Sequence, residues 1–167
     1  MKYSAKKEIL KNEDLAELAW EAIEPIWDSL PYSSTSKLNN FMAELTEGQK
    51  ALISIDWCQK EIRNGGIGQL FKNSTGNLVP YAINGFSLIG ADSYAELLAK
   101  AASLLGNEYP QSGAARKRTL KSLSEIQLGE LEILDDKFLE LISSEEHNIE
   151  QYRGSYVKNN PGLFISS

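Results

Sequence analysis

The chain is expected to fold as an all-α protein, one compact domain over residues 1–167 built from about seven to nine helices. Three features predict this. Apolar residues recur at helical spacing in segment after segment, capping residues and glycines punctuate those segments, and no stretch alternates as a strand would. With 167 residues, 42% apolar and 24% charged, the chain can bury a core without metals or disulfides. Residues 1–11 are expected to form a loose N-terminal extension.

Residues 13–30, "EDLAELAWEAIEPIWDSL", place Leu15, Leu18, Ala19, Ala22, Ile23, Ile26, Trp27 and Leu30 on one helical face. Asn12 is available as its N-cap, Pro25 should kink or break the helix, and Pro31 favours an exit. A shorter helix is expected over about 36–45. "TEGQ" then offers a capping box, in which Thr46 and Gln49 satisfy each other's free amides at the start of the next helix. That helix continues through Leu52, Ile55, Cys58 or Gln59, and Ile62, until Gly65 and Gly66 provide a stop. Pro80 suits the first turn of a helix ending near Gly90. Ser93 and Glu96 form a second box for a helix closed by Gly106.

After the Tyr109–Pro110 connection comes "ARKRTLK", whose Arg116, Lys117, Arg118 and Lys121 have no acidic neighbour. From Leu123, the residues Ile126, Leu131, Leu134, Phe138 and Leu141 or Ile142 fit helical spacing, and Gly129 leaves open whether they form one helix or two. Ser143 and Glu146 are placed to cap a last helix carrying Ile149, Tyr152, Tyr156 and Val157, stopped by "NNPGLF".

Composition narrows the chemistry. The single Cys58 cannot form an internal disulfide, and the N-terminus lacks the apolar run of a secretion signal, so a reducing cytoplasm is expected. "ALISI" is too short to span a bilayer. One histidine, His147, is too few for a His-rich metal site or a Cys-His dyad, and neither metal nor cofactor is expected. A net charge of −6 argues against direct nucleic-acid binding, which needs clustered cations to neutralise phosphates.

The glycine-rich stretch "EIRNGGIGQLFKNSTG" has the look of a phosphate loop but fits neither the G-x-x-x-x-G-K-[ST] nor the G-x-G-x-x-G spacing, and no strand precedes it. Its amides, Asn64, Gln69 and Asn73, with Asn77 beyond, can both donate and accept. They suit a structural network around the glycine turn, with Leu70 and Phe71 inside; a binding cleft is the competing reading.

"LTEGQKALISIDWCQKEIRNGGIGQLFKNSTGNL", "LDDKF" and the terminal "NNPGLF" together resemble an all-helical family, domain of unknown function 4375, over roughly residues 40–164. Asn64, Gly65, Gly66, Gln69, Phe71, Asn73 and Gly76 carry the most specific part. The resemblance implies an acidic helical protein without enzyme activity, since the family includes a DNA mimic that occupies the DNA-binding surface of a helix-turn-helix transcription factor. The motif residues are expected to be structural.

The charge is uneven. Residues 125–150 hold nine acids against Lys137 alone, a formal −8 that exceeds the −6 of the whole chain. Of these, Glu125, Glu130, Glu132, Asp135, Asp136 and Glu140 fall on the predicted helix. A second series, Asp14, Glu17, Glu21, Glu24 and Asp28, alternates steps of three and four along one helix face, with carboxylates about 5 Å apart. The expectation is a noncatalytic protein-interaction domain, in its sharpest form a DNA mimic whose acids occlude a basic DNA-binding protein. The alternatives are a small-molecule-binding protein or enzyme built on residues 64–77, and an immunity or regulatory partner protein.

Overall fold

A computed structural model describes residues 1–166. Eight α-helices follow one another: α1 (Leu15–Trp27), α2 (Thr35–Ala43), α3 (Glu47–Lys72), α4 (Val79–Leu88), α5 (Asp92–Ser103), α6 (Gly113–Ser122), α7 (Glu125–Ser143) and α8 (Ile149–Asn159). Short 3₁₀ turns occupy Lys7–Lys11, Ser74–Leu78 and Pro161–Leu163. No strand forms among the described residues; the one isolated bridge joins Ala5 to Ile165.

Helix α3 is the axis of the fold. It is buried almost continuously from Gly48 to Gln59, and α1, α4, α6 and α7 all pack on it. The Thr46–Gln49 capping box forms as expected, with Gln49 N donating to Thr46 Oγ1 and Thr46 N to Gln49 Oε1. Around α3, α8 closes on α1, and α5 bridges α4 and α7. Leu18, Ile23, Leu52, Leu70, Phe86, Phe138 and Phe164 are fully buried in the shared core.

Several element boundaries differ from expectation. The N-cap of α1 is Asp14, which accepts from Ala16 N and Glu17 N, while Asn12 holds the amide of Asp14 one step earlier. The helix runs through Pro25, which lies on the exposed side two residues before the last helical position. Ser93 caps nothing, because the turn at Gly90 (φ +81°) and the buried Ala91 start α5 at Asp92. Gly129 does not divide α7: a Ser124–Gln127 capping box starts the helix, and Leu131, Leu134 and Phe138 hold it on the core. Ser143 therefore belongs to the last turn of α7, and Asn148 caps α8 instead. The N-terminal eleven residues are not loose: Ala5 N donates to Phe164 O, and Ala5 and Ile9 are buried.

Candidate functional site: a locked polar hub and an open acidic helix

The glycine pair interrupts α3 without ending it. Gly65 (φ −161°) and Gly66 (φ +81°, ψ 173°) leave helical geometry, and the helix resumes at once to Lys72. The conformation of Gly66 is one that essentially only glycine adopts. A break of this kind frees amides at the start of the second half, and one of them, Ile67 N, donates to Asp135 Oδ1 on α7 at 3.1 Å. Asp135 is thus a helix cap supplied from a distant part of the chain. The fit is close, since a Cβ on Gly66 would stand 2.3 Å from Asp135 Oδ2. Partial burial and the neighbouring Asp136 raise the Asp135 pKa above the usual aspartate value, while the Ile67 amide opposes that shift.

The amides of this segment converge on one carboxylate that sequence reasoning missed. Glu61 Oε1 accepts from Gln69 Nε2 at 2.8 Å and from Asn73 Nδ2 at 2.5 Å, and Oε2 accepts from Thr75 Oγ1 at 3.2 Å. Gln69 lies directly over Gly65. Asn77 donates to Tyr32 O, and Asn64 is exposed. Leu70 and Phe71 are fully buried, as expected. Gln69 and Asn73 border an open groove of about 600 Å³ between the break and α7, yet their donors turn toward Glu61.

Beneath this hub lies Arg116, from the basic segment that follows Pro110. Its side chain is fully buried and donates to the carbonyls of Phe71, Asn73, Pro110 and Gln111 at 2.9–3.3 Å. A guanidinium at the C-terminal end of α3 satisfies carbonyls that have no intrahelical partner and complements the helix dipole. Burial lowers its pKa, and Tyr109, whose ring lies 5.6 Å away, counters that shift. Gly76 completes the arrangement: its carbonyl accepts from Tyr109 Oη, and a Cβ there would stand 2.6 Å from Leu70 O. Lys117 and Arg118 are exposed, and neither forms an ion pair among the described residues, so α6 does not neutralise the acidic helices.

Cys58 is fully buried, and desolvation first, then Glu61, pushes its thiol pKa up, the opposite of what an active nucleophile requires. No group of His, Cys, Asp and Glu suited to a metal occurs among the described residues, and no helix there is long and apolar enough to cross a membrane.

The two acidic series are placed differently. On α1, Asp14 is spent as the N-cap and Glu21 accepts from Asn12, leaving Glu17, Glu24 and Asp28 exposed. On α7, Asp135 caps Ile67 and Glu130 pairs with Lys100 at 3.3 Å, while Glu125, Glu132, Asp136 and Glu140 are exposed. The same helix leaves Ile126 84% and Ile133 57% exposed, with Leu128 and Leu139 also open. α1 packs chiefly on α8 and α3, and α7 on α5 and α3.

A model of the DMP19-like protein family matches residues 43–160. The chain belongs to that family. The match bears that description and not that of domain of unknown function 4375, to which the motifs pointed. The DMP19-like region takes in α3 to α8, and with them the Gly-Gly break, Glu61, Arg116 and all of α7; the α1 acids lie outside it. No curated protein and no solved structure matches the chain.

Proposed function

We propose that this DMP19-like chain is a noncatalytic protein-binding domain of the cytoplasm. Its α7 outer face engages a basic DNA-binding protein and occludes the surface that DNA would occupy. The family supports this reading, because DMP19-like proteins are a DNA-mimic family. The observation that carries the choice of surface is the exposure of Ile126 and Ile133 beside Glu125, Glu132, Asp136 and Glu140. Ile126, Leu128, Ile133 and Leu139 are all exposed on this one helix, and protein interfaces combine apolar contacts with polar rims. From Glu132 to Asp136 to Glu140 the carboxylates advance about 6 Å per step, from a rise of about 1.5 Å per residue. Their field would steer a basic partner, and the isoleucines would slow its departure.

The test is competition. Partners captured at low salt are identified, and a captured DNA-binding protein is then assayed for DNA binding with increasing amounts of this domain. The wild type should displace DNA, with an effect that weakens as salt rises. The variant E125K/E132K/D136K/E140K, which spares the structural Asp135, should not. DNA binding left intact by the wild type, or lost equally with the variant, would reject the proposal.

A further inference from the structure

Beside the hub, Tyr32, Trp57, Lys72, Ser74, Thr75 and Lys117 surround an open cleft of about 430 Å³, which Glu61 also lines. Its aromatic wall is fixed in place. Trp57 stacks on Trp27 with ring centroids 4.4 Å apart and planes within 8°, and Tyr32 leans on Trp57 at 4.9 Å. Tyr32 is itself held through its carbonyl by Asn77.

The charge of this cleft is opposite to that of the chain. Lys72 at the end of α3 and Lys117 on α6 are both exposed, and neither has a carboxylate within ion-pair distance among the described residues. The buried Arg116 adds a third positive charge close behind, bonded to the Asn73 carbonyl. Glu61 is the one acid lining the cleft, and both of its oxygens are already taken by Gln69, Asn73 and Thr75. Two lysines lining one cavity make it attractive to an anion, which either ammonium can pair with. Ser74 contributes a hydroxyl as a further donor, and the Tyr32 ring, backed by Trp57, offers an apolar surface beside the charges.

We infer that this cleft binds a small planar molecule carrying one anionic group, a phosphate or a carboxylate, with the anion near Lys72 and Lys117 and the ring against Tyr32, whose contact with Trp57 relays binding to the tryptophans. No residue of α7 lines this cleft, although Lys72 and Asn73 also border the groove that holds Glu132, so the site is tested with small probes, separately from the proposed partner.

The chain provides its own reporter. Its three tryptophans, Trp20, Trp27 and Trp57, form one contiguous cluster, so intrinsic fluorescence senses the wall of this cleft. Phenyl phosphate and benzoate would be titrated alongside inorganic phosphate, benzyl alcohol and benzylamine, with amide shifts of Ser74 and Thr75 followed by NMR. At least one anionic aromatic probe should give saturable changes in both signals, and whichever binds tighter identifies the preferred anionic group. The exposed-site variant K72A/K117A should keep the wild-type melting temperature and weaken that binding at least tenfold. The inference is overturned if neither anionic aromatic saturates, if benzyl alcohol or benzylamine binds as well, or if the double variant binds unchanged. Equal affinity for inorganic phosphate would remove the role of the aromatic wall.

Discussion

The segment from Glu61 to Gly76 and the outer face of α7 lie next to each other and are both rich in polar groups, yet they differ in one decisive respect. In the first, Gln69, Asn73 and Thr75 all end on Glu61, and four carbonyls end on Arg116. In the second, Glu125, Glu132, Asp136 and Glu140 have no ion-pair partner among the described residues, and two isoleucines face solvent. Groups that satisfy one another hold a scaffold together; groups left open are available to something outside. Asp135 joins the two regions, since it sits on the acidic helix but works for the scaffold by capping Ile67. A list of acids in the sequence treats it as equal to Asp136, and the structure does not.

The contrast can be broken most severely at Arg116. Replacing it with methionine strands the carbonyls of Phe71, Asn73, Pro110 and Gln111 in a buried site. A loss of more than about 3 kcal/mol is expected in chemical denaturation, because each unpaired buried acceptor costs about 1–3 kcal/mol. A loss under about 1 kcal/mol would mean that water or rearrangement replaces the guanidinium readily.

Next comes Gly66→Ala, which forces a side chain into a glycine-only conformation and onto Asp135. About 1–3 kcal/mol should be lost, with exchange protection falling first at the amides after the break. Because α7 is held against α3 there, this variant should also weaken partner capture even though it changes no charge.

Asp135 allows a finer test through pH. Its folded pKa is raised, so between the unfolded value of 3.8 and the folded value the native state holds the proton more tightly than the unfolded state. Stability contributed by this group therefore rises as pH falls through the folded pKa and is lost as pH rises through it. Relative to Asp135→Asn, the wild type should gain stability on acidification across that window. A stability difference that does not change with pH would show that the carboxylate titrates as it does in the unfolded chain.

The smallest stability effect should come from the open face. Neutralising Glu132, Asp136 and Glu140 to glutamine or asparagine should alter stability by no more than about 0.5 kcal/mol, as exposed sites generally do, while reducing partner capture strongly. Equal losses of stability and capture would place those acids with the scaffold and erase the distinction drawn above.

That the protein is helical was legible from the residues alone, because helical periodicity and the Thr46–Gln49 box are local and depend on residues a turn apart. The sequence also marked Gly65–Gly66 as a place where helical geometry fails, since glycine's backbone freedom is a property of the residue, but it read there a stop where the helix in fact resumes. It failed where local signals competed. Ser93 and Ser143 looked like caps but fell inside turns whose positions were set by Ala91 and by the packing of Phe138. It failed also where a partner lies far along the chain. Arg116 reaching Phe71, Asp135 reaching Ile67 and Glu61 gathering amides across a broken helix are pairings that no spacing rule encodes. Net charge, too, was countable but not assignable: which carboxylates are spent on backbone amides and which stay exposed depends on how the helices pack. Whether a polar group is satisfied depends on the atoms around it in space, and folding brings those atoms together from distant positions.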